Sequence, residues 1–329
     1  MGRAVSREFW FANVMNQSAP LAKPTAKVVT IILSTFNGEA FLAQQLESLF
    51  SQSYPGIRIL ARDDVSTDLT PRILAEAELS ARVECLRDGG HLGAAQSYFT
   101  LLKTAAATST DYIAFCDQDD LWRADKISRA VAALSTLPDG KPALYCSRLE
   151  IVDEKLSPLG ITVTPNRIGF GNALVENVCV GCTIVLNREA VDLLCQNLPA
   201  DAIVHDWWCY LVISCFGEII FDPDATIRYR QHGKNVFGVA LGRFDRFKRN
   251  LRRFAGKGAG RHWQSEQAAE FLAAFGNRIP DRERRMLNDF VKAKSSLRAR
   301  LKLSLSNQIW RQTRLDDFLW RVLILMNRF

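Results

Sequence analysis

The chain has 329 residues, of which 48% are hydrophobic and 23% are charged, a composition that is ordinary for a globular protein. No run of 18 or more apolar residues occurs, so the sequence predicts no membrane-spanning helix. The eight cysteines lie mostly in apolar stretches, which indicates free buried thiols in a reducing cytosol rather than a disulfide framework. The formal net charge is +7, and eight Lys or Arg residues with one acid lie between Arg243 and Arg261.

Strands and helices alternate in the first half of the chain. Continuous apolar or β-branched runs predict buried strands at 28–34, 57–64, 83–86, 111–116 and 143–147. Apolar residues at helical spacing predict helices between them, at 39–52, 69–79, 94–107 and 123–134. This alternation is typical of βαβ units, so we expect an α/β fold with a mostly parallel sheet and flanking helices.

The pattern changes after residue 147. Residues 176–194 predict an irregular turn, a strand and a helix, and a further helix starts near Asp206 and stops at Gly217. An extended segment follows, and amphipathic helices are predicted beyond residue 243. We therefore predict a leader, an α/β domain and a basic helical C-terminal region, at 1–27, 28–238 and 239–329.

Polar and acidic residues follow three of the predicted strands. Because the carboxyl ends of parallel strands meet at one edge of a sheet, and ligands bind there, we expect these residues to converge on one site. In chain order they are Ser34, Thr35 and Asn37, then Asp63 and Asp64, and then Asp117, Asp119 and Asp120.

The third group is the strongest single signal, because like charges this close raise one another's pKa and a fold has no need of them. Mg²⁺ and Mn²⁺ take hard oxygen ligands together with phosphate oxygens, so the motif predicts a divalent cation bound to a diphosphate. Asp119 is the best candidate for a direct ligand and Asp117 for a water-mediated ligand or a ribose contact, while Asp120 fits a helix cap. The alternative is that all three cap the next helix in solvent.

Asp63 and Asp64 have two interpretations. A carboxylate at this position can accept a hydrogen bond from the N3–H of uracil or thymine. Alternatively, the acids belong to a turn in which Ser66 or Thr67 caps the following helix.

Asp206 and the stretch from Arg228 to Asn235 also allow two interpretations. Asp206 lies beside two tryptophans, where a carboxyl of raised pKa can act as a general base, or it is a plain N-cap. Arg230 and His232 can face a diphosphate, or their stretch is a solvated charged surface.

Five stretches together resemble the family 2 glycosyltransferases, in order and at suitable spacing over residues 28–238. They begin VTIILSTFNGEAFL, YIAFCDQDDLW, ENVCVGC, HDWW and YRQHGKN. The resemblance implies a GT-A fold and inverting transfer of a sugar from a nucleotide donor, with Mn²⁺ or Mg²⁺ as the cofactor. The motif sequences DQDDLW and RQHGKN are similar to those of a bacterial rhamnosyltransferase-like branch of the family. This similarity implies dTDP-rhamnose as the first candidate donor and UDP-sugars as the next. A growing surface glycan or a polyprenol-linked acceptor is the implied acceptor.

The same resemblance implies roles for the nucleotide-binding residues. Ser34 and Thr35 match the start of the nucleotide pocket, to which we also assign Asn37. Asp64 matches the acid that reads the pyrimidine base, with Asp63 beside it. The sequence departs from the family at Val65, where Gly is frequent, and in the stretch HLGAAQSY.

The remaining implied roles concern the reaction itself. Asp117 and Asp119 match the DxD motif, with Asp119 as the metal ligand, and Asp206 matches the catalytic base. His232 falls where related enzymes place a residue near the metal and the diphosphate, and Arg230 is assigned to the same cofactor site.

Two rival functions share the predicted fold. A nucleotidyltransferase usually has a basic, Gly-rich phosphate loop after the first strand, whereas STFNGEAFL has one glycine and no basic residue. A non-catalytic sugar- or nucleotide-binding protein is the other rival, since fold does not imply function.

The C-terminal region has two interpretations. Basic residues alternate with Phe244, Phe247 and Phe254, and an apolar cluster spans 318–326. Such segments lie on anionic membrane surfaces, here the inner face, or cap the catalytic domain. No recognised motif predicts a nucleic-acid partner.

Overall fold

The described part of the chain comprises residues 26–199, 204–233 and 263–329 of a computed structural model. The predicted leader, the predicted boundary near 239–242 and the basic segment 243–261 fall outside these residues, apart from the last two positions of the leader. None of the helices in these three ranges is long and apolar enough to cross a bilayer.

A mixed sheet of nine strands organises the described residues, in the order β3-β2-β1-β4-β8-β6-β9-β5, with β7 paired to β6. The strands are β1 (Val29–Thr35), β2 (Ile57–Asp63), β3 (Glu84–Leu86), β4 (Tyr112–Cys116), β5 (Leu121–Trp122), β6 (Ala143–Val152), β7 (Pro158–Ile161), β8 (Val185–Asn187) and β9 (Glu218–Arg230).

The pairing directions confirm the predicted fold class. Strands β1 to β4 form a parallel half, and β6 and β9 form a second parallel pair. Strand β8 runs antiparallel to both β4 and β6 and joins the two halves, while β5 and β7 are antiparallel additions at β9 and β6.

Helices cover both faces of the sheet and continue into the C-terminal region. They are α1 (Leu42–Phe50), α2 (Thr70–Leu79), α3 (Ala94–Ala106), α4 (Lys126–Leu134), α5 (Phe170–Ala173), α6 (Arg188–Cys195), α7 (His205–Phe216), α8 (Trp263–Phe275), α9 (Asp281–Lys292), α10 (Leu297–Ser304) and α11 (Arg314–Leu325).

Helix α4 differs from its prediction. It begins at Lys126 rather than at residue 123, because Leu121 and Trp122 form β5 and pair with β9. The N-cap of α4 is Asp125, so the interpretation of Asp120 as a helix cap is wrong.

Two apolar cores lie on opposite sides of the sheet, because successive residues of a strand point to opposite faces. Ile31 of β1 belongs to the core that includes α1, α2 and α4, and Ile32 to the core that includes α3, α6 and α7. Residues of the C-terminal helices join the second core, where Phe271 of α8 contacts Trp208 of α7 with ring centroids 6.0 Å apart.

A glycine in α5 permits close contact between the α/β domain and the C-terminal region. A Cβ atom on Gly171 would lie 1.9 Å from the carbonyl oxygen of Gln308 and 2.6 Å from the ring of Trp310. The neighbouring Asn172 amide donates to the Trp310 carbonyl oxygen at 3.1 Å.

We expect Gly171→Ala to destabilise the protein by about 1–3 kcal/mol, the usual cost of overpacking, because backbone atoms must move apart. Chemical denaturation of the full chain measures this change. Gly233→Ala is the matched control, since a Cβ there meets no atom of the described residues within 4 Å. Equal stability of the two variants would contradict the tight contact.

Candidate active site

The acidic segment 117–120 lies between two strands that hold its ends. Strand β4 stops at Cys116, and β5 resumes at Leu121, which pairs with Arg228 of β9. This pairing brings the acids against the end of β9 and against His232, which is 113 positions away from Asp119 in the sequence. Two motifs that were recognised separately in the sequence therefore share one site.

Asp119 and His232 are in direct contact. The Nε2 atom of His232 lies 2.8 Å from Oδ2 of Asp119, and the two side chains are 8% and 16% exposed. The ring of Phe41 packs against the imidazole, with centroids 4.9 Å apart. Two of the three predicted metal ligands thus meet at the surface of the site.

Asp117 completes this group from the end of β4. Its Oδ1 accepts a hydrogen bond of 2.6 Å from the hydroxyl of Tyr98, a buried residue of α3. Burial raises the pKa of Asp117, and the negative charge of Asp119 raises it further. The sequence did not identify Tyr98, because its position on the apolar face of α3 suggested a core residue.

Asp120 points inward, away from solvent. Its Oδ1 accepts a hydrogen bond of 3.1 Å from the backbone N–H of Arg230. One carboxylate oxygen of Asp120, one of Asp117 and the Sγ of Cys182 lie within 4.8 Å of one another. Burial and the charges of the two other acids raise the pKa of Asp120.

Lys126 is a buried cation behind the same segment. Its Nζ lies 3.5 Å from the centre of the Trp122 ring and makes no hydrogen bond within the described residues. Burial lowers the pKa of Lys126 to about 8, although the charge of Asp120 acts in the opposite direction. The positive charge of a buried Lys offsets part of the negative charge of the buried acids beside it.

Arg230 supports the acids from within the protein. It is 2% exposed, and its Nε donates to the carbonyl oxygen of Asp119 at 3.0 Å. Its Nη2 donates to Oε1 of Gln44 at 2.8 Å, and its Nη1 to the carbonyl oxygen of Glu154 at 2.5 Å. In this arrangement Arg230 fixes the backbone of the acidic segment rather than pointing into the open site.

Asp206 lies in the first turn of α7 and does not cap it, since the N-cap is Val204. Its Oδ2 accepts a hydrogen bond of 2.9 Å from the N–H of Gly181. Burial raises the pKa of Asp206 to about 7, the N–H groups of Trp207 and Gly181 act against this rise, and the charge of Asp117 adds to it. Asp206 and Asp117 are therefore near enough to interact within one site.

Gly181, in the CVGC stretch, is required by this arrangement. A Cβ atom there would lie 2.8 Å from Nε2 of His205 and 3.5 Å from Cβ of Asp206. The His205 ring cannot easily give way, because it stacks on Tyr98 with centroids 3.9 Å apart. Only the close approach of α7 reveals that the glycine of CVGC positions Asp206.

The residues predicted for the nucleotide pocket connect the loops that follow β1 and β2. The Thr35 hydroxyl donates to Oδ1 of Asp63 at 2.9 Å, and the Asn37 Oδ1 accepts from the N–H of Thr67 at 2.9 Å. Ser34 is half-buried at the end of β1. The structure brings these residues together at the same sheet edge as the acidic segment.

Asp64 is almost completely buried, and protein donors surround its carboxylate. Oδ1 accepts from Arg62 and from the N–H of Leu92, both at 2.7 Å, while Oδ2 accepts from the N–H of Gly93 at 2.8 Å. His91 Nδ1 also lies 3.0 Å from Oδ2. Burial alone would raise the pKa of Asp64, but these hydrogen bonds hold it below its usual value. Asp64 thus fixes the loop at 91–93 beside the predicted base site.

Gln118, between the two DxD acids, joins the motif to the first loop. Its Oε1 accepts from the N–H of Phe36 at 2.8 Å, and its Nε2 donates to the carbonyl oxygen of Phe36 at 3.0 Å. A Cβ on Gly38 would lie 2.3 Å from the Gln118 Oε1, so a larger residue there would displace this side chain. This role could not be read from the motif, because the middle residue of DxD carries no charge.

The residues present fit a divalent cation. Asp119 and His232 are in contact, and Asp117 is near enough for the charge of Asp119 to act on it, so carboxylates of the kind that suit Mg²⁺ or Mn²⁺ lie close together. Burial, and after it the charge of Asp119, raises the pKa of Asp117, and a bound cation would stabilise its charged form.

Comparisons with known proteins find similarity to glycosyltransferases. The model of the glycosyl transferase family 2 matches residues 30–191. The chain is 29% identical over 233 residues to the dTDP-rhamnosyl transferase RfbG of Shigella flexneri, a match that covers 66% of this chain and 77% of that protein. It is 32% identical over 166 residues to the Escherichia coli UDP-Glc:alpha-D-GlcNAc-diphosphoundecaprenol beta-1,3-glucosyltransferase WfgD, which covers 50% of this chain and 62% of the relative.

A solved structure shares the fold at low sequence identity. The Staphylococcus aureus TarS fragment 1–349, crystallised with UDP-GlcNAc, superposes with a TM-score of 0.53 at 14% identity and covers 91% of this chain and 90% of that one. The matched family model, the relatives and the shared architecture lead to one conclusion: the chain is a glycosyltransferase with the GT-A fold, and residues 30–191 form its glycosyl transferase family 2 domain.

Proposed function

We propose that this glycosyltransferase is inverting and metal-dependent, and that it moves a sugar, with L-rhamnose as the leading candidate, from a pyrimidine-nucleotide donor to a growing glycan or a polyprenol-linked acceptor. The observation that carries the proposal is the contact between Asp119 and His232, with Asp117 near enough to feel the charge of Asp119, and Asp206 near enough to feel the charge of Asp117. The dTDP-rhamnosyl transferase activity of the Shigella relative supports dTDP-rhamnose, and the glucosyltransferase activity of the Escherichia coli relative supports a UDP-sugar.

Asp119, Asp117 and His232 are the residues that would hold the metal. Mn²⁺ or Mg²⁺ bound there would offset the charge that builds up on the leaving nucleoside diphosphate. Tyr98 and Arg230 keep the acids in place, through the side chain of Asp117 and the backbone of Asp119. The nucleotide would lie along the loops after β1 and β2, where Ser34, Thr35, Asn37 and Asp63 are located.

Asp206 is the proposed general base. It accepts the proton of an acceptor hydroxyl while the hydroxyl oxygen attacks the anomeric carbon, and the bond from that carbon to the diphosphate oxygen breaks with its electron pair on the leaving group. A base works best with a pKa near the working pH, and burial brings the pKa of Asp206 to about 7.

The role of Asp64 in base recognition is proposed in a modified form. Its carboxylate oxygens already accept hydrogen bonds from Arg62, Leu92 and Gly93. We propose that Asp64 acts on the pyrimidine through the loop that it fixes, and that direct contact would require one of these donors to be exchanged.

We also propose that the enzyme works at the inner face of a membrane, where a polyprenol-linked acceptor would be found. The basic segment 243–261, which motivated this expectation, lies outside the described residues. Within the described C-terminal helices, Trp320 and Ile324 are buried, whereas Phe318 and Met326 are exposed. The apolar cluster at 318–326 is therefore divided between the core and the surface.

Asp119→Ala is expected to lower sugar transfer at least about 100-fold, the scale of losing one charge-stabilising group, because the metal loses its best ligand. Mn²⁺ binding, followed by electron paramagnetic resonance, should weaken in parallel. Asp125→Ala is the matched control, since Asp125 is a nearby acid whose side chain is 48% exposed and makes no capping hydrogen bond to α4. Full activity of the Asp119 variant, or of the wild type in excess chelator, would contradict the proposal that Asp119 binds a metal needed for transfer.

Asp206→Asn is expected to retain donor binding and to lower transfer at least about 100-fold, the usual scale for loss of a general base. For the wild type, kcat should rise with pH up to about 7 and then level off, because the carboxylate is the active form and its pKa is raised to about 7. A pH profile that is flat below 7, or a collapse of donor affinity in the variant, would exclude Asp206 as the base.

Calorimetry with Mn²⁺ present should show that UDP or dTDP binds and that GDP binds much more weakly. Release of nucleoside diphosphate from dTDP-rhamnose and UDP-sugars, with and without acceptor, then identifies the donor. Tight binding of GDP together with no binding of either pyrimidine nucleotide would overturn the donor assignment.

A further inference from the structure

Helix α10 exposes leucines on its outer side. Leu297, Leu301 and Leu305 follow one another at intervals of four residues, which places them on one side of the helix, and they are 59%, 47% and 80% exposed. Leu303, by contrast, is buried in the core. A helix that needed only to cap the domain would not require this outer row, and exposed apolar surfaces of this kind mark interaction sites.

Helix α11 repeats this arrangement. Trp320 and Ile324 are buried, while Leu315, Phe318 and Leu325 are exposed at helical spacing on the other side, followed by Met326. Arg321 connects the two helices, since its guanidinium donates to the carbonyl oxygen of Ser304, the last residue of α10, at 2.5 Å.

The positive charge of the C-terminal segment, residues 294–329, favours an anionic partner. Between residues 294 and 329 the sequence has eight Lys or Arg residues and two acids. Three of the cations have carboxylate partners: Arg321 pairs with Asp317 at 2.7 Å, Lys302 with Asp289 at 2.6 Å and Arg311 with Glu176 at 3.4 Å. With the two outside partners counted, the segment has eight basic groups and four acidic ones. Exposed leucines among basic residues match an anionic lipid surface, which offers acyl chains and negative headgroups together.

We infer that α10 and α11 form the membrane-binding surface of the protein, with Leu297, Leu301, Leu305 and Phe318 inserting among anionic phospholipids. This assignment rests on the proposed membrane location of the enzyme. The C-terminal helices pack on α7, and the first turn of α7 carries Asp206, so membrane binding would be linked to the position of the proposed base. Phe216 of α7 contacts Phe275 of α8 with centroids 4.9 Å apart. A membrane bound by α10 and α11 would therefore be held at a fixed place relative to the proposed base.

The test is flotation of the full chain with vesicles of neutral phosphatidylcholine, with and without about one third anionic phosphatidylglycerol. Wild-type protein should bind the anionic vesicles and lose affinity as salt rises, since each basic residue strengthens binding about fivefold at low salt. The double variant L301S/L305S should bind them at least about tenfold more weakly, because two leucines no longer leave water. L79S is the matched control, since Leu79 is 88% exposed on α2 and should leave binding unchanged.

Three results would overturn the inference: equal binding of wild type to both vesicle types or to neither, unchanged binding of L301S/L305S, or a wild-type dimer in sedimentation velocity that this variant dissociates. The last result would assign the surface to a second copy of the chain. Transfer to a soluble acceptor is measured on the same preparations and should be equal in L301S/L305S and wild type. A wild type that binds anionic vesicles but transfers no sugar would contradict the proposed function and leave the membrane surface supported.

Discussion

The concentration of negative charge at the end of β4 is the constraint on which the rest of the site depends. Asp117, Asp119 and Asp120 lie within four positions, and burial makes the charged forms costly for two of them. Each has a different neighbour: the Tyr98 hydroxyl, the His232 imidazole and the Arg230 backbone N–H. These contacts fix the carboxylates in place, and Lys126 and Arg230 offset part of their charge. A divalent cation bound at the acids would offset more of it.

The same constraint links the donor side of the site to the acceptor side. His205, next to the proposed base, stacks on Tyr98, and Tyr98 donates to Asp117. Gly181 donates its N–H to Asp206, while the adjacent Cys182 lies near the carboxylates of Asp117 and Asp120. A change on one side therefore alters positions on the other, so a mutation that appears to affect only the base can also change metal binding. Separate measurements of donor affinity, metal binding and transfer are needed to distinguish these effects.

The C-terminal helices extend this coupling to the outside of the molecule. Their inner side joins the core of the α/β domain through aromatic contacts with α7, and their outer side presents leucines among basic residues. The inner side has the packing of a helical cap, and membrane docking is the role that we propose for the outer side. The two roles apply to opposite faces of the same helices. A helix with apolar residues on two faces can pack one face against the core and present the other to a partner.

The sequence by itself determined the α/β class, the positions of most strands and helices, and the family, because these depend on local periodicity and on short motifs. It also identified the acids that carry the proposed chemistry, since carboxylates clustered after a buried strand have few structural explanations. Only the tertiary structure decided which side chains support them. Tyr98 and Arg62 appear in sequence as an ordinary core residue and a strand residue, Gly181 as part of a cysteine pair, and Arg230 as a phosphate ligand. Their roles depend on contacts between segments far apart in the chain. No pattern within one segment specifies such contacts, because they arise from how the sheet brings the segments together.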